Sequence, residues 1–106
     1  MPSTWSALAD PRRRAVLERL LDGPQAVGDL VASVGLSQPT TSKHLRVLRE
    51  VGLVSVRQDA QRRVYALELA PIAELDAWLA PYRRVWSESL DALGRHLDDK
   101  RDEEDR

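Results

Sequence analysis

Apolar residues recur at intervals of three and four along the first half of the chain, a pattern that predicts a series of helices. The first helix is expected over residues 3–8. The second is expected over 11–22, because Asp10 is a favourable N-cap and is followed by proline at the first helical position. The third is expected over 27–34 and ends at Gly35, the residue type preferred just after a helix.

A fourth helix follows, with Ser37 as its N-cap and Gly52 at its end. Thr41, Leu45 and Leu48 fall on one face of this helix and predict its buried side. With about 100° between successive residues, the opposite side is polar. The outward residues are Pro39, Lys43 and Arg46, flanked by Thr40 and Val47 on one side and by Ser42 and Arg49 on the other.

Two strands come next. Apolar residues within 53–56 and 64–69 surround a polar tip, 58–61, and this pattern indicates a β-hairpin. Arg57, Arg62 and Arg63 make the hairpin basic, which suits contact with DNA phosphates or with a minor groove. The competing interpretation is a charged edge that protects a strand from aggregation.

The last helix is expected from Pro71 to Leu97, and Pro81 should either kink it or divide it. It carries two apolar stripes, so it must pack both on its own domain and on a further partner, for which a second copy of the chain is the candidate. No apolar residue follows Leu97. We therefore predict one domain over 1–97 and an acidic, disordered tail over 98–106.

The composition narrows the function classes. The chain has 106 residues, 42% hydrophobic and 31% charged, which is enough for one domain with a core of its own. It contains no cysteine, which excludes disulfides, thiolate metal sites and cysteine nucleophiles. No segment has the pattern of a secretory signal or a membrane span, so we expect a cytoplasmic protein without a membrane partner.

The net charge of −1 conceals an asymmetry. Residues 1–70 contain ten Lys or Arg and seven Asp or Glu, whereas residues 71–106 contain six and ten. A basic body with an acidic end can accompany nucleic-acid binding.

These elements predict a mainly α fold with a small β-hairpin wing, in the order α-α-α-α-β-β-α: a winged helix-turn-helix. In such a fold the polar face of the fourth helix enters the major groove of DNA. Its outward first turns carry the side chains that reach base edges and phosphates, namely Gln38, Thr40, Ser42, Lys43 and Arg46. An ordinary solvated helix face is the alternative interpretation of this surface.

Three ordered segments carry a more specific likeness: ALADPRRRAVLERLLDGP, LSQPTTSKHLRVLREVGLV and RRVYALE. They resemble the ArsR/SmtB family of winged-helix repressors over about residues 5–97. The resemblance implies repression by a symmetric homodimer that binds an imperfect inverted repeat in double-stranded DNA near its own promoter. It also implies that the SQPTTSKHL segment reads DNA, which adds His44 to the candidates, and that Arg62 and Arg63 form the basic wing.

The same resemblance places the dimer interface mainly on the first and last helices. The candidate interface residues are Trp5, Leu8, Ile72, Leu75, Leu79, Tyr82, Trp86 and Leu93. Trp5, Trp78, Tyr82 and Trp86 are interpreted as interface and core packing in preference to a ligand pocket.

The chain departs from the family's metal-sensing members. It has Ala26 and Gly28 where thiol-type sensors carry cysteines, and in the last helix only His96 is available, with Asp91 before it and Asp99 three residues after it. One histidine per chain is a poor zinc site, so we predict no metal and no cofactor. His44 either contacts a phosphate, caps a local hydrogen bond or supports the core. The arginine run 12–14 could meet the DNA backbone at the start of a helix, but the preferred interpretation is that at least one of these arginines pairs with a carboxylate.

The sequence bears on three other functions. Catalysis is disfavoured because the chain has no phosphate loop, no nucleophile elbow and no cluster of histidine and carboxylate side chains. A winged helix that binds protein is disfavoured because Lys43 and Arg46 keep the fourth helix cationic. Control by an unknown small organic effector at the dimer interface stays open.

Overall fold

The computed structural model describes the backbone of residues 3–104 and the side chains of residues 3–98. The elements in chain order are α1 (Thr4–Ala9), α2 (Pro11–Glu18), a 3₁₀ turn (Arg19–Asp22), β1 (Gln25–Ala26), α3 (Val27–Val34), α4 (Gln38–Glu50), β2 (Val54–Asp59), β3 (Arg62–Leu67) and α5 (Ala70–Glu104). The predicted order of helices and hairpin is thus confirmed, with one strand added.

The helix starts follow from local capping. Ser3 and Ser6 form a reciprocal capping box at α1, and Asp10 accepts the backbone N–H of Arg12 at 2.9 Å at the start of α2. The second helix is shorter than predicted, because its last four residues tighten into a 3₁₀ turn. Gly23, at φ 132°, ends that turn and donates its N–H to the carbonyl of Leu20.

The hairpin of β2 and β3, hereafter the wing, belongs to a three-stranded antiparallel sheet of order β1-β3-β2. The sequence pattern missed β1, since two residues are too short to show alternation. The wing tip is also shorter than predicted, because Asp59 pairs with Arg62 and leaves only Ala60 and Gln61 in the turn. Ala60 takes a positive φ of 55°, a conformation that glycine adopts more easily.

The buried core lies where α1, α2, α3, α4 and the sheet meet. Its members are Ala7, Val16, Leu17, Leu20, Leu30, Leu45, Leu48, Leu53, Val54 and Tyr65. Thr41 is buried with them, and its hydroxyl donates to the carbonyl of Ser37 at 2.9 Å. Leu8 and Ile72 pack against the same core and are half-buried.

The chain divides into two units, Met1–Ala73 and Glu74–Arg106. The second unit consists of the main part of α5, which runs unbroken through Pro81, so the predicted division of this helix does not occur. Proline removes only its own N–H donor, and the helical backbone continues on both sides of it. Helical backbone continues to Glu104, where we had expected a disordered tail, and residues 105–106 lie outside the described part.

Candidate nucleic-acid interface

The first turn of α4 is held by its own cap and by the core. Ser37 accepts the backbone N–H of Thr40 at 3.3 Å, and its hydroxyl donates to the Thr40 hydroxyl at 2.8 Å. Thr41, Leu45 and Leu48 are fully buried beneath the helix, as its pattern predicted. The orientation of α4 therefore follows from a cap and three buried side chains.

The opposite side of α4 is exposed and polar. Gln38, Ser42, Lys43 and Arg46, hereafter the recognition face, are all exposed, in agreement with the predicted outward side. Thr40 is half-buried, and its hydroxyl already accepts from Ser37. A shallow depression of about 430 Å³ runs along this side and is lined by Pro39, Thr40, Ser42, Lys43 and Arg46.

A second concavity, hereafter the arginine cleft, separates the recognition face from the wing. It has a volume of about 390 Å³ and is lined by Val27, Gln38, Ser42, Leu45, Arg46, Arg49, Arg63 and Tyr65. Three guanidinium groups line it, and no carboxylate is among the lining side chains. The fold therefore brings the predicted wing residue Arg63 to the same cleft as three predicted residues of α4.

The two predicted wing arginines have different surroundings. Arg62 donates to Asp29 in the first turn of α3 at 3.1 Å and forms an ion pair with it. The guanidinium of Arg63 lies over the ring of Tyr65, 5.9 Å from its centroid, in cation–π geometry. Both side chains are exposed, but the charge of Arg62 is already paired with a carboxylate.

His44 lies apart from the other candidates. It is half-buried, and its Nε2 atom is buried without a hydrogen-bond partner among the described residues. The backbone N–H of Arg12 contributes most to the lowered pKa of Asp10, and the nearby His44 side chain makes a smaller electrostatic contribution. His44 lines neither of the two concavities on α4.

The arginine run at the start of α2 has a structural role. Arg13 donates to the carbonyls of Ser6 and Ala7 at 3.2 and 3.1 Å, and Arg14 donates to the carbonyl of Leu8 at 2.7 Å. These bonds satisfy carbonyls at the end of α1 that lack partners within that helix. Arg13 also pairs with Asp10 at 3.9 Å, so the expectation of a structural ion pair is confirmed.

Most of the predicted interface residues on α5 are exposed. Leu79, Tyr82, Trp86 and Leu93 belong to this exposed set, together with Trp78, Val85, Leu90 and Leu97, whereas Leu75 is half-buried. The rings of Trp78 and Tyr82 stack at 4.7 Å, and Arg83 pairs with Asp76. Trp5 on α1 is exposed as well.

The described residues contain no group of three or more histidine, cysteine or acidic side chains placed to hold a metal ion. Asp99, which the sequence offered as a partner of His96, lies beyond the described side chains. Among the described helices, none combines the length and apolarity that crossing a membrane requires.

Three residues that shape this surface are not among the candidate DNA contacts predicted from the sequence. Arg49 lies in the last turn of α4 and contributes the third guanidinium of the arginine cleft. Its spacing of three from Arg46 was a usable signal, since such residues are neighbours on a helix. Tyr65 and Asp29 reach the site only through the sheet and the wing, which no local pattern reveals.

Comparison with known proteins identifies the family to which this chain is related. The family described as "Bacterial regulatory protein, arsR family" matches residues 10–56, which run from the N-cap of α2 into β2. The HTH-type transcriptional regulator Rv2034 of Mycobacterium tuberculosis is 40% identical over 99 residues, which cover 93% of this chain and 90% of that protein.

Solved structures agree with this relationship. The crystal structure of the ArsR family transcriptional regulator RHA00566 superposes with a TM-score of 0.69 at 36% identity, covering 78% of this chain and 91% of that one. The transcriptional repressor BigR from Xylella fastidiosa gives 0.61 at 35% identity, covering 74% and 80%. These relatives are transcriptional regulators and not enzymes, and their fold is the winged helix predicted here. The chain therefore belongs to the ArsR family of DNA-binding transcriptional regulators.

Proposed function

We propose that this protein is a homodimeric repressor that binds an imperfect inverted repeat near its own promoter. The observation that carries the proposal is the recognition face, where an amide, a hydroxyl and two cations are exposed on a helix whose other side is buried. Amide and cationic side chains form the commonest specific contacts with base edges in the major groove. Arg63 of the wing lies beside this face, where it could contact phosphates of the DNA backbone next to the bases that α4 would read.

The dimer is proposed from α5. Its exposed leucines and aromatic residues recur at three- and four-residue spacing and form a continuous apolar stripe. A symmetric pair would bury the same stripe on both copies and place two recognition faces about 34 Å apart, one turn of DNA. His44 is not among the proposed DNA contacts, because its Nε2 atom is buried and it lines neither concavity on α4.

The repressor is proposed to act in the cytoplasm without a bound metal. His96 is exposed on α5, and the described residues offer it no cluster of further ligands. Release from DNA would then depend on an organic effector or a protein partner that favours another dimer geometry.

The test is fluorescence anisotropy with about 200 base pairs from upstream of the gene, against scrambled duplex, with EDTA and with added zinc. We expect a clear preference for the natural sequence that neither addition changes. The double variant Gln38→Ala with Lys43→Ala should lose about 2–5 kcal/mol of specific binding and much less of non-specific binding, because base contacts are sequence-dependent.

Arg19→Ala provides a charge-matched control. Arg19 is exposed and lines none of the concavities on α4 or the wing, so its loss should leave the preference unchanged. Equal losses on natural and scrambled duplex in the double variant would contradict the assignment of base contacts to the recognition face. Loss of binding on adding zinc would contradict the metal-independent mechanism.

A further inference from the structure

We propose that the arginine cleft is a binding site for one phosphate group, held by Arg46, Arg49 and Arg63. The cleft is the place where two arginines of α4, one turn apart, face an arginine of β3. Like charges brought together in this way repel one another, and a bound anion removes that repulsion. The fold keeps the three groups together although none of them has an anionic partner there.

Ion pairing separates these three residues from some of the other arginines of the molecule. Arg13, Arg62 and Arg83 each pair with a carboxylate. Within residues 3–98, no carboxylate forms an ion pair with Arg46, Arg49 or Arg63. An anion bound in the cleft would therefore come from a ligand and not from the described part of the chain.

The lining favours an oxyanion with several acceptor atoms. The amide of Gln38 and the hydroxyl of Ser42 add neutral donors beside the guanidinium groups, which bind phosphate oxygens in pairs. Leu45 and Tyr65 are buried and form an apolar floor, which strengthens charge interactions above it. Stacking over Tyr65 also restricts Arg63, so less side-chain entropy is lost on binding.

Phosphate of this kind has two sources: the DNA backbone and a small free phosphate. The first rests on the proposed function, since a backbone phosphate would enter the cleft when the recognition face meets the groove. The second does not, because a free phosphate needs only the cleft. In both cases Arg49 is a binding residue, although the sequence pattern placed it only beside the outward side of α4 and not among the predicted DNA contacts.

The first arm of the test uses no DNA. Inorganic phosphate is titrated into the full chain and followed by its ³¹P NMR line and by thermal shift, against sodium chloride at matched ionic strength. We expect a saturable response to phosphate in the wild type and in Arg19→Gln, and at least a tenfold weaker response in Arg49→Gln. Circular dichroism checks that each variant is folded, as expected for exposed side chains.

The second arm measures binding to scrambled duplex as a function of salt. Loss of one phosphate contact in Arg49→Gln should reduce the slope of log K against log salt by about 1, with no change in Arg19→Gln. A changed slope without a saturable response to free phosphate would assign the cleft to the DNA backbone. A saturable response with an unchanged slope would assign it to a small phosphate.

The proposal is overturned if phosphate and chloride act alike on the wild type and Arg49→Gln leaves the slope unchanged. Failure of the proposed function has a different signature: phosphate still titrates, but the natural promoter is not preferred over scrambled duplex. The two outcomes are therefore separable in one set of proteins.

Discussion

Helices α4 and α5 share an apolar spacing of three and four residues, yet their apolar side chains differ in how far they are buried. In α4, Leu45 and Leu48 are 0% exposed, whereas in α5 Trp86 and Leu90 are 64% and 53% exposed. Residues Met1–Ala73 complete a core within one chain, but the α5 stripe does not become buried in the described structure. Periodicity therefore shows which face of a helix seeks burial, and the structure alone shows whether one chain provides it.

The largest expected effect is on α5. Trp86→Glu should weaken the proposed dimer by at least 100-fold, because a two-fold interface loses the same buried side chain twice, at about 1.5–3 kcal/mol for each copy. Sedimentation velocity over a dilution series measures the dissociation constant. Ser87→Glu adds the same charge away from the apolar stripe and should leave assembly unchanged. A Trp86→Glu protein that stays dimeric would place the interface elsewhere.

The next effect concerns α4, where a core substitution should change the stability of the single chain and not its assembly. Leu45→Ala removes a fully buried side chain and should lower the free energy of unfolding by about 2–5 kcal/mol. Urea denaturation followed by circular dichroism gives the value. Leu21→Ala is the matched control, because Leu21 is 71% exposed and its truncation should cost less than about 0.5 kcal/mol. Similar losses in both variants would show that Leu45 is not a core residue.

A smaller effect is expected at the start of α4. Ser37→Ala removes the acceptor of the Thr40 N–H and should cost about 1 kcal/mol of stability. Ser37→Asp keeps a cap acceptor and should recover most of that loss. Thermal denaturation compares the three proteins. If both variants are equally unstable, the serine hydroxyl matters for a reason other than capping.

The smallest effect is a pH dependence at the start of α2. The N–H of Arg12 lowers the pKa of Asp10 below its ordinary value of 3.8, so the charged form stabilises the fold. That contribution is complete above the ordinary value and disappears as the pH falls through the lower value of the folded state. Asp10→Asn keeps the cap without titrating.

Urea midpoints for wild type and Asp10→Asn, measured between about pH 5 and pH 2, should therefore converge as the pH falls. A constant difference over this range would mean that the carboxylate charge of Asp10 does not contribute to stability.

The sequence predicted well what depends on local periodicity and capping. Both faces of α4 and the caps at Asp10 and Ser37 agree with the structure, because each depends on residues within one or two turns. It predicted poorly what depends on distant partners. The pairing of β1 with β3 joins residues about 40 positions apart, and no pattern within Gln25–Ala26 predicts it.

The candidate site divides in the same way. The recognition face could be predicted because burial of three α4 residues fixes which residues face outward. The partners of the arginines could not, since Arg62 pairs with Asp29 and Arg63 stacks on Tyr65 only after the sheet has formed. His44 lies at the boundary between the two faces of α4, where residue spacing alone does not assign a side chain to the buried or the exposed face.

The division of α4 into a buried and an exposed side also bears on how such a regulator evolves. Thr41, Leu45 and Leu48 hold the helix from beneath, while Gln38, Ser42 and Lys43 contribute nothing to the core. Exchanges at exposed positions usually change stability by less than about 0.5 kcal/mol. Under the proposed function, one copy could therefore acquire a new operator after a gene duplication through a few substitutions on the recognition face while its scaffold stays intact, which would allow regulatory circuits to diverge.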